Sequence, residues 1–264
     1  MSGRQSSRPS VRRYRCSSSG PVVALLLALA LLAGCGGNGK PSAFPDPSGP
    51  LDVHTTHLAQ GKGAVLDGVS FRGAGGKVVH ALLAFTRRSG RHPAVLFLTG
   101  SGGSMSDFLT SDVRFAQSGG VGMSIQQPSV ATSWAPLVEN VRRALDLLVA
   151  RSDVDASRLG VAGLSLGADT AAIVGGVDPR PHVFALMSAR GGPVVVKYLE
   201  LARGSFYVQD GLADLIVPRA QLHRAIDAIH GSRRVKWYDA PHTLNAAAFR
   251  SQLAWLRSQL HPAQ

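Results

Sequence analysis

Residues 94–98 read AVLFL, five positions without one polar side chain. A strand exposed on one face alternates apolar and polar residues, so an unbroken apolar run this short describes a strand covered on both faces. Such a strand needs helices above and below it, and the chain supplies them in turn. Leu137, Val141, Leu145 and Leu148 recur at helical spacing within 134–151, and an apolar strand, LGVAGL, follows at 159–164. Residues 183–187, 205–209 and 235–238 read as further short strands, with helices expected over 167–174, 220–229 and 246–260. Upstream, a hairpin of 65–72 and 77–87 turns around Gly73–Gly76, before a helix over 105–117 and a strand at 121–125. Alternation of this kind after a hairpin implies a mostly parallel twisted sheet with helices on both faces. No interval between strands is long enough for a large lid. The expectation is a single α/β domain over residues 63–264.

The first 34 residues do not belong to that domain. Arg4, Arg8, Arg12, Arg13 and Arg15 form a basic leader without an acid, followed by an apolar run over 21–33. That run falls short of the ~20 residues a membrane-spanning helix needs, and it fits the core of a secretory signal. It ends in Leu32-Ala33-Gly34-Cys35, which resembles the lipobox of bacterial lipoproteins, with Cys35 as the lipidated first residue of the mature chain. Residues 35–62, rich in Gly, Pro and Ser at their start, read as a flexible tether. The expected location is therefore the outer face of the cell membrane, with secretion as the alternative.

The cysteines bear on the chemistry. Only Cys16 and Cys35 are present, in the leader and at the cleavage point, so the folded part has no disulfide, no cysteine nucleophile and no thiolate metal site. The formal charge of +12 falls to +7 without the leader arginines. These basic residues are scattered in pairs at most and lack interleaved aromatics, so attraction to an anionic surface is expected and nucleic-acid binding is not.

Gly163-Leu164-Ser165-Leu166-Gly167 lies where the strand at 159–164 meets the helix after it. In a parallel sheet, active groups collect at the carboxyl ends of strands. A sharp turn there presents a serine hydroxyl at the positive end of a helix. A serine needs a base, and the base needs an orienting acid. Of the nine histidines, His242 alone follows the last strand in a loop, Asp239-Ala240-Pro241-His242-Thr243, before the final helix. For the acid, Asp214 sits in a strand-to-helix loop, with Asp210 at the strand end as its rival. Asp169, in the first turn after Ser165, is expected to interact with the helix dipole.

The order Ser165, Asp214, His242 is that of an α/β-hydrolase. The chain resembles the dienelactone-hydrolase-like group of that superfamily, related also to acyl-thioester hydrolase domains, over about 63–264. The matching pieces are DVDASRLG at 153–160, GLSLG at 163–167, GLADLIVP at 211–218 and APHTLN at 240–245. Dienelactone hydrolases proper use cysteine where this chain has Ser165, so the resemblance implies a serine esterase. Acyl transfer also requires oxyanion donors. One is the N–H of Leu166; the other is expected from Gly100-Ser101-Gly102-Gly103, at Ser101 or Gly102. The family begins this loop with His-Gly, and here it is Thr99-Gly100. The loop lacks the spacing of a dinucleotide or P-loop phosphate cradle.

The expected function is thus an envelope-anchored carboxylic-ester hydrolase working through a Ser-His-Asp triad and an acyl-enzyme. No metal or organic cofactor is expected, and the substrate is a small-molecule or polymer-borne ester. An acyl thioesterase or peptidase of the same fold is the alternative among enzymes. A catalytically silent hydrolase-fold surface binding protein is the alternative outside them.

Overall fold

The computed structural model describes residues 44–61, 63–128 and 133–261. The leader, its apolar run and Cys35 lie outside the described residues. Nine strands form one sheet in the order β1-β2-β3-β5-β4-β6-β7-β8-β9. The strands are β1 (His54–Gly61), β2 (Ala64–Arg72), β3 (Val78–Phe85), β4 (His92–Leu98), β5 (Val121–Ile125), β6 (Val154–Leu164), β7 (Val183–Met187), β8 (Ser205–Gly211) and β9 (Ser232–Tyr238). The pairings β1–β2, β2–β3 and β3–β5 are antiparallel, and every pairing from β5 through β4 to β9 is parallel.

Helices cover both faces. On one side lie α2 (Ala135–Ala150), α3 (Leu166–Val177), α4 (Pro193–Leu199) and α5 (Arg219–Asp227); on the other lie α1 (Leu109–Gln117) and α6 (Ala246–Leu260). The AVLFL run shows why it had to be apolar on both parities. Ala94, Leu96 and Leu98 pack toward α2 and α3, while Val95 and Phe97 join Phe108, Phe115 and Leu256 on the opposite side. The expected single α/β domain without a large lid is what the described residues form.

Three differences from the sequence reading have physical causes. The expected tether over 35–62 does not extend to residue 62, because His54–Gly61 pairs antiparallel with β2, from His54 opposite Ser70 to Gly61 opposite Ala64. All its side chains are exposed, so no apolar pattern betrayed it. Just ahead of it, two buried arginines of α2 hold the chain. Arg142 donates to the carbonyls of Phe44 and Pro45 and pairs with Asp46, while Arg143 donates to the carbonyls of Gly49 at 2.9 Å and Pro50 at 2.6 Å. Buried guanidinium groups need acceptors, and here backbone carbonyls supply them. The domain therefore begins earlier than residue 63. The second difference is α4, an element the sequence reading left unassigned, whose PVVVKYL favours strand by propensity alone. Proline in its first turn and burial of Val195, Tyr198 and Leu199 decide for helix. Third, 105–117 is a 3-10 turn over Met105–Phe108 leading into α1.

Candidate active site

Ser165 is the single residue between β6 and α3, with φ 54° and ψ −114°. That conformation is close to the first central position of a type II′ turn, where glycine is usual and a side chain is strained. The surroundings impose it. A Cβ at Gly163 would stand 2.6 Å from the amide nitrogen of Ala168 and nearer still to the backbone of Gly167. A Cβ at Gly167 would stand 2.6 Å from the carbonyl oxygen of Thr99, against the end of β4. Strand end, helix start and the neighbouring strand thus converge on bare backbone. Ser165 N–H donates to the carbonyl of Met187 at 2.8 Å, and Asp169 N–H to the carbonyl of Ser165 at 2.9 Å, holding the turn.

The acid and the base arrive on two turns tied to each other. After β8, Leu212 N–H donates to the carbonyl of Tyr238 at 2.7 Å and Ala213 N–H to that of Ala240 at 3.1 Å. His242 follows in the turn after β9, and its own carbonyl accepts from the Ser188 hydroxyl at 2.6 Å. Asn245 then caps α6 by accepting from the amides of Ala247 and Ala248.

These turns bring the three sequence-derived residues together. Nδ1 of His242 lies 2.7 Å from Oδ2 of Asp214, and Nε2 lies 2.8 Å from Oγ of Ser165. A carboxylate only accepts, so Nδ1 carries the proton and Nε2 is left to accept from the serine hydroxyl. Asp214 is nearly fully buried, and burial by itself would raise its pKa. The hydrogen bonds from His242 and from the amides of Ile216 and Val217, with Asp210 beside it, outweigh that and hold it below the usual carboxylate range. Asp210, the rival acid, makes no contact with His242; it backs Asp214, and burial followed by that contact pushes its carboxyl up to about 6.

Leu166 opens α3, so its N–H has no intrahelical acceptor and stays available beside Ser165. From the other side, a Cβ at Gly100 would lie 3.5 Å from that of Ser165, so the loop after β4 abuts the serine there. Ser101 and Gly102 form the exposed tip of a turn closed by Gly103 N–H on the carbonyl of Gly100 at 3.1 Å. Gln126, after β5, braces this loop: its Nε2 donates to the carbonyl of Gly103 at 3.0 Å, and its Oε1 accepts from Met105 N–H at 3.2 Å.

Sequence reasoning did not find Gln126, Ser188 or the contact between Asp210 and Asp214. Gln126 and Ser188 each stand one residue beyond a short apolar strand at the carboxyl edge, and that position was the only available signal. Asp169 stands in the first turn of α3, as expected, and has further partners there. It is buried and accepts from Arg190 Nε at 2.9 Å and Gly191 N–H at 3.1 Å, tying α3 to the turn after β7. Among the described residues, no three His, Cys, Asp or Glu side chains gather as a metal site, and no helix is long and apolar enough to cross a membrane.

No protein-family model and no curated protein sequence matches the chain. Solved structures do. An acetyl xylan esterase from Paenibacillus sp. R4 is similar at 17% identity over 80% of this chain and 90% of its own, with a TM-score of 0.65. An S-formylglutathione hydrolase from Agrobacterium tumefaciens is similar at 11% identity over 78% of this chain and 99% of its own, with a TM-score of 0.67. A cold-adapted esterase from an Arctic intertidal metagenomic library is similar at 15% identity over 76% and 97%, with a TM-score of 0.68.

Proposed function

We propose, from the α/β-hydrolase fold that this chain has, that it is a serine hydrolase of carboxylic esters. What carries the reading is His242 lying within hydrogen-bond distance of Ser165 on one side and Asp214 on the other. In the proposed reaction, Ser165 Oγ attacks the ester carbonyl while its proton passes to His242 Nε2. Asp214 balances the imidazolium through Nδ1–H. The carbonyl oxygen, now an anion, accepts hydrogen bonds from Leu166 N–H and from the 100–103 loop. His242 returns the proton to the departing alkoxide, leaving an acyl-Ser165. Water, deprotonated by the same imidazole, then releases the carboxylic acid and restores the serine.

The mouth of the site suits accessible esters. Leu212, Leu215 and Ile216 are exposed on the turn that carries Asp214, giving an apolar rim on one side. Polymer-borne or small esters fit an uncovered site of this kind better than long acyl chains that need enclosure. The basic leader and Cys35 support envelope anchoring, which palmitate labelling of wild type and Cys35→Ala in a bacterial host tests.

The test of the reaction is fluorophosphonate labelling and p-nitrophenyl acetate hydrolysis by wild type and Ser165→Ala. Both signals are expected in wild type and lost in the variant, with kcat/KM falling by at least ~10³-fold. A folded wild type that neither labels nor turns over ester overturns the reading and leaves a binding protein.

A further inference from the structure

Asp210 is the sixth residue of β8, one place before its end, and the His242 ring bonds to Asp214 and Ser165 instead. It is nevertheless buried, with its carboxyl against that of Asp214. Counting acceptors makes the contact informative. Asp214 uses Oδ1 for the amides of Ile216 at 2.7 Å and Val217 at 3.1 Å, and Oδ2 for His242 Nδ1 at 2.7 Å. What acceptor capacity remains meets Asp210. Asp210 in turn accepts Gly211 N–H on Oδ1 at 2.8 Å. Two ionised carboxylates in contact repel, so the pair is satisfied when one carries a proton and donates it to the other. An imidazole and two amides keep Asp214 ionised, and the proton falls to Asp210.

Groups around Asp210 come from beyond its own strand. The turn after β7 contributes the hydroxyl of Ser188, which also holds the carbonyl of His242. Its own turn contributes the Gly211 amide and Asp214, with His242 beyond. From β9, its register partner is the uncharged Trp237, over whose ring α5 lays the Arg219 guanidinium at 4.5 Å, the same group donating to the carbonyl of Leu212 at 3.2 Å.

Resting on the reading of the triad given above, we propose that Asp210 is a positioning residue for it. Protonated, Asp210 donates a hydrogen bond to Asp214 and draws off part of that carboxylate's charge. Ionised, it adds a second negative charge behind His242 and makes the imidazole a stronger base. The proton moves between Asp210 and solvent, and no bond to substrate is involved. Burial and the neighbouring carboxylate bring the changeover to about pH 6, inside the range where an esterase is assayed. The sign follows: as Asp210 ionises, His242 holds its proton more tightly. The acid limb of the rate profile is then drawn out beyond a single-proton curve and lies at higher pH than it would with a neutral residue at 210.

The experiment compares wild type, Asp210→Asn and Asp210→Ala in kcat and KM for p-nitrophenyl acetate as functions of pH. The low-field proton resonance of His242 Nδ1–H is followed through the same range. In Asp210→Asn the acid limb is expected to become a single-proton curve, lower by ~0.5–1 pH unit, with plateau kcat down ~3–10-fold and KM within ~2-fold. Asp210→Ala, which neither adds charge nor draws it off Asp214, is expected to place the acid limb between those of Asp210→Asn and wild type. In wild type the resonance steps near pH 6, and in Asp210→Asn that step is gone. Superimposable rate profiles for folded wild type and Asp210→Asn overturn the proposal, as does a resonance that ignores the substitution. If wild type neither labels nor hydrolyses ester, the triad reading has failed, and the resonance still decides whether Asp210 titrates against the His242–Asp214 pair. If neither variant folds, the wild-type resonance alone decides: a step near pH 6 supports the proposal and its absence overturns it.

Discussion

Replacing the candidate nucleophile by glycine is expected to give a more stable protein than replacing it by alanine, although both are inactive. Ser165 sits at φ 54° and ψ −114°, where a Cβ is strained. Holding a non-glycine residue in such a region costs about 1–3 kcal/mol, which alanine bears as serine does. Glycine escapes it and gives back about 0.5–1 kcal/mol through its freer unfolded chain. Both variants lose the hydrogen bond to His242 equally, so that term cancels in the comparison. Taken at their midpoints, these terms favour Ser165→Gly over Ser165→Ala by about 1.2 kcal/mol, or about 2–5 °C in melting temperature for a domain of this size. Differential scanning calorimetry of the two variants side by side reads this directly. Equal melting temperatures, or a more stable alanine variant, would refute the claim that the elbow stores backbone strain at residue 165.

Other perturbations reach the same site from its supports. Gly163→Ala places a Cβ 2.6 Å from Ala168 N, amid backbone that has nowhere to go, and is expected to destabilise by about 2–3 kcal/mol in urea titration and to lower kcat/KM ~100-fold. Gly100→Ala meets nothing closer than 3.5 Å and is expected to melt within about 2 °C of wild type. Gln126→Leu removes the brace under the 100–105 loop and is expected to lower kcat ~10–100-fold with KM changed less than ~3-fold, as loss of oxyanion alignment requires. Asp112 is fully buried, and burial raises its pKa well above the ordinary value despite the bond with Ser124. The single Ser124 proton faces both Asp112 Oδ2 at 2.6 Å and the Met105 carbonyl at 2.8 Å, which balances when Asp112 is the protonated donor. The stability held by that protonated form is full below the unfolded value and is lost as pH rises through the folded one. Asp112→Asn is expected to flatten this fall, which is at most about 1.4 kcal/mol per pH unit, in melting curves taken from acid to alkaline pH.

Much of the fold was legible because burial on both faces leaves a mark on composition. The strands at 121–125 and 183–187 and the helix at 246–260 match β5, β7 and α6 to the residue, since each end coincides with a change from apolar to polar or glycine. The elbow was legible for a different reason, that only glycine tolerates the backbone contacts at 163 and 167. What escaped was structure whose support lies elsewhere in the chain. β1 has no buried face, and its place comes from the free edge of β2. Segment 44–50 is Pro- and Gly-rich and reads as loose chain, but Arg142 and Arg143, almost a hundred positions downstream, hold it.

Within the site, local chemistry named Ser165, Asp214 and His242, each from its position between a strand and the next helix. The sequence preferred Asp214 to Asp210 from its place in the strand-to-helix loop, but both residues stand at the same sheet edge four positions apart, and the pairing with His242 itself is a tertiary contact. The pairing of backbone amides at Leu212 and Ala213 with the strand and turn before His242 turns Asp214 toward the imidazole and leaves Asp210 behind it. Sequence by itself determined which residue types stand at the carboxyl edge, because strand periodicity and turn chemistry are local. The distances that make three of them a hydrogen-bonded relay, and the burial that pushes the Asp210 carboxyl up, depend on contacts between segments far apart in the chain, and only the folded structure decided them.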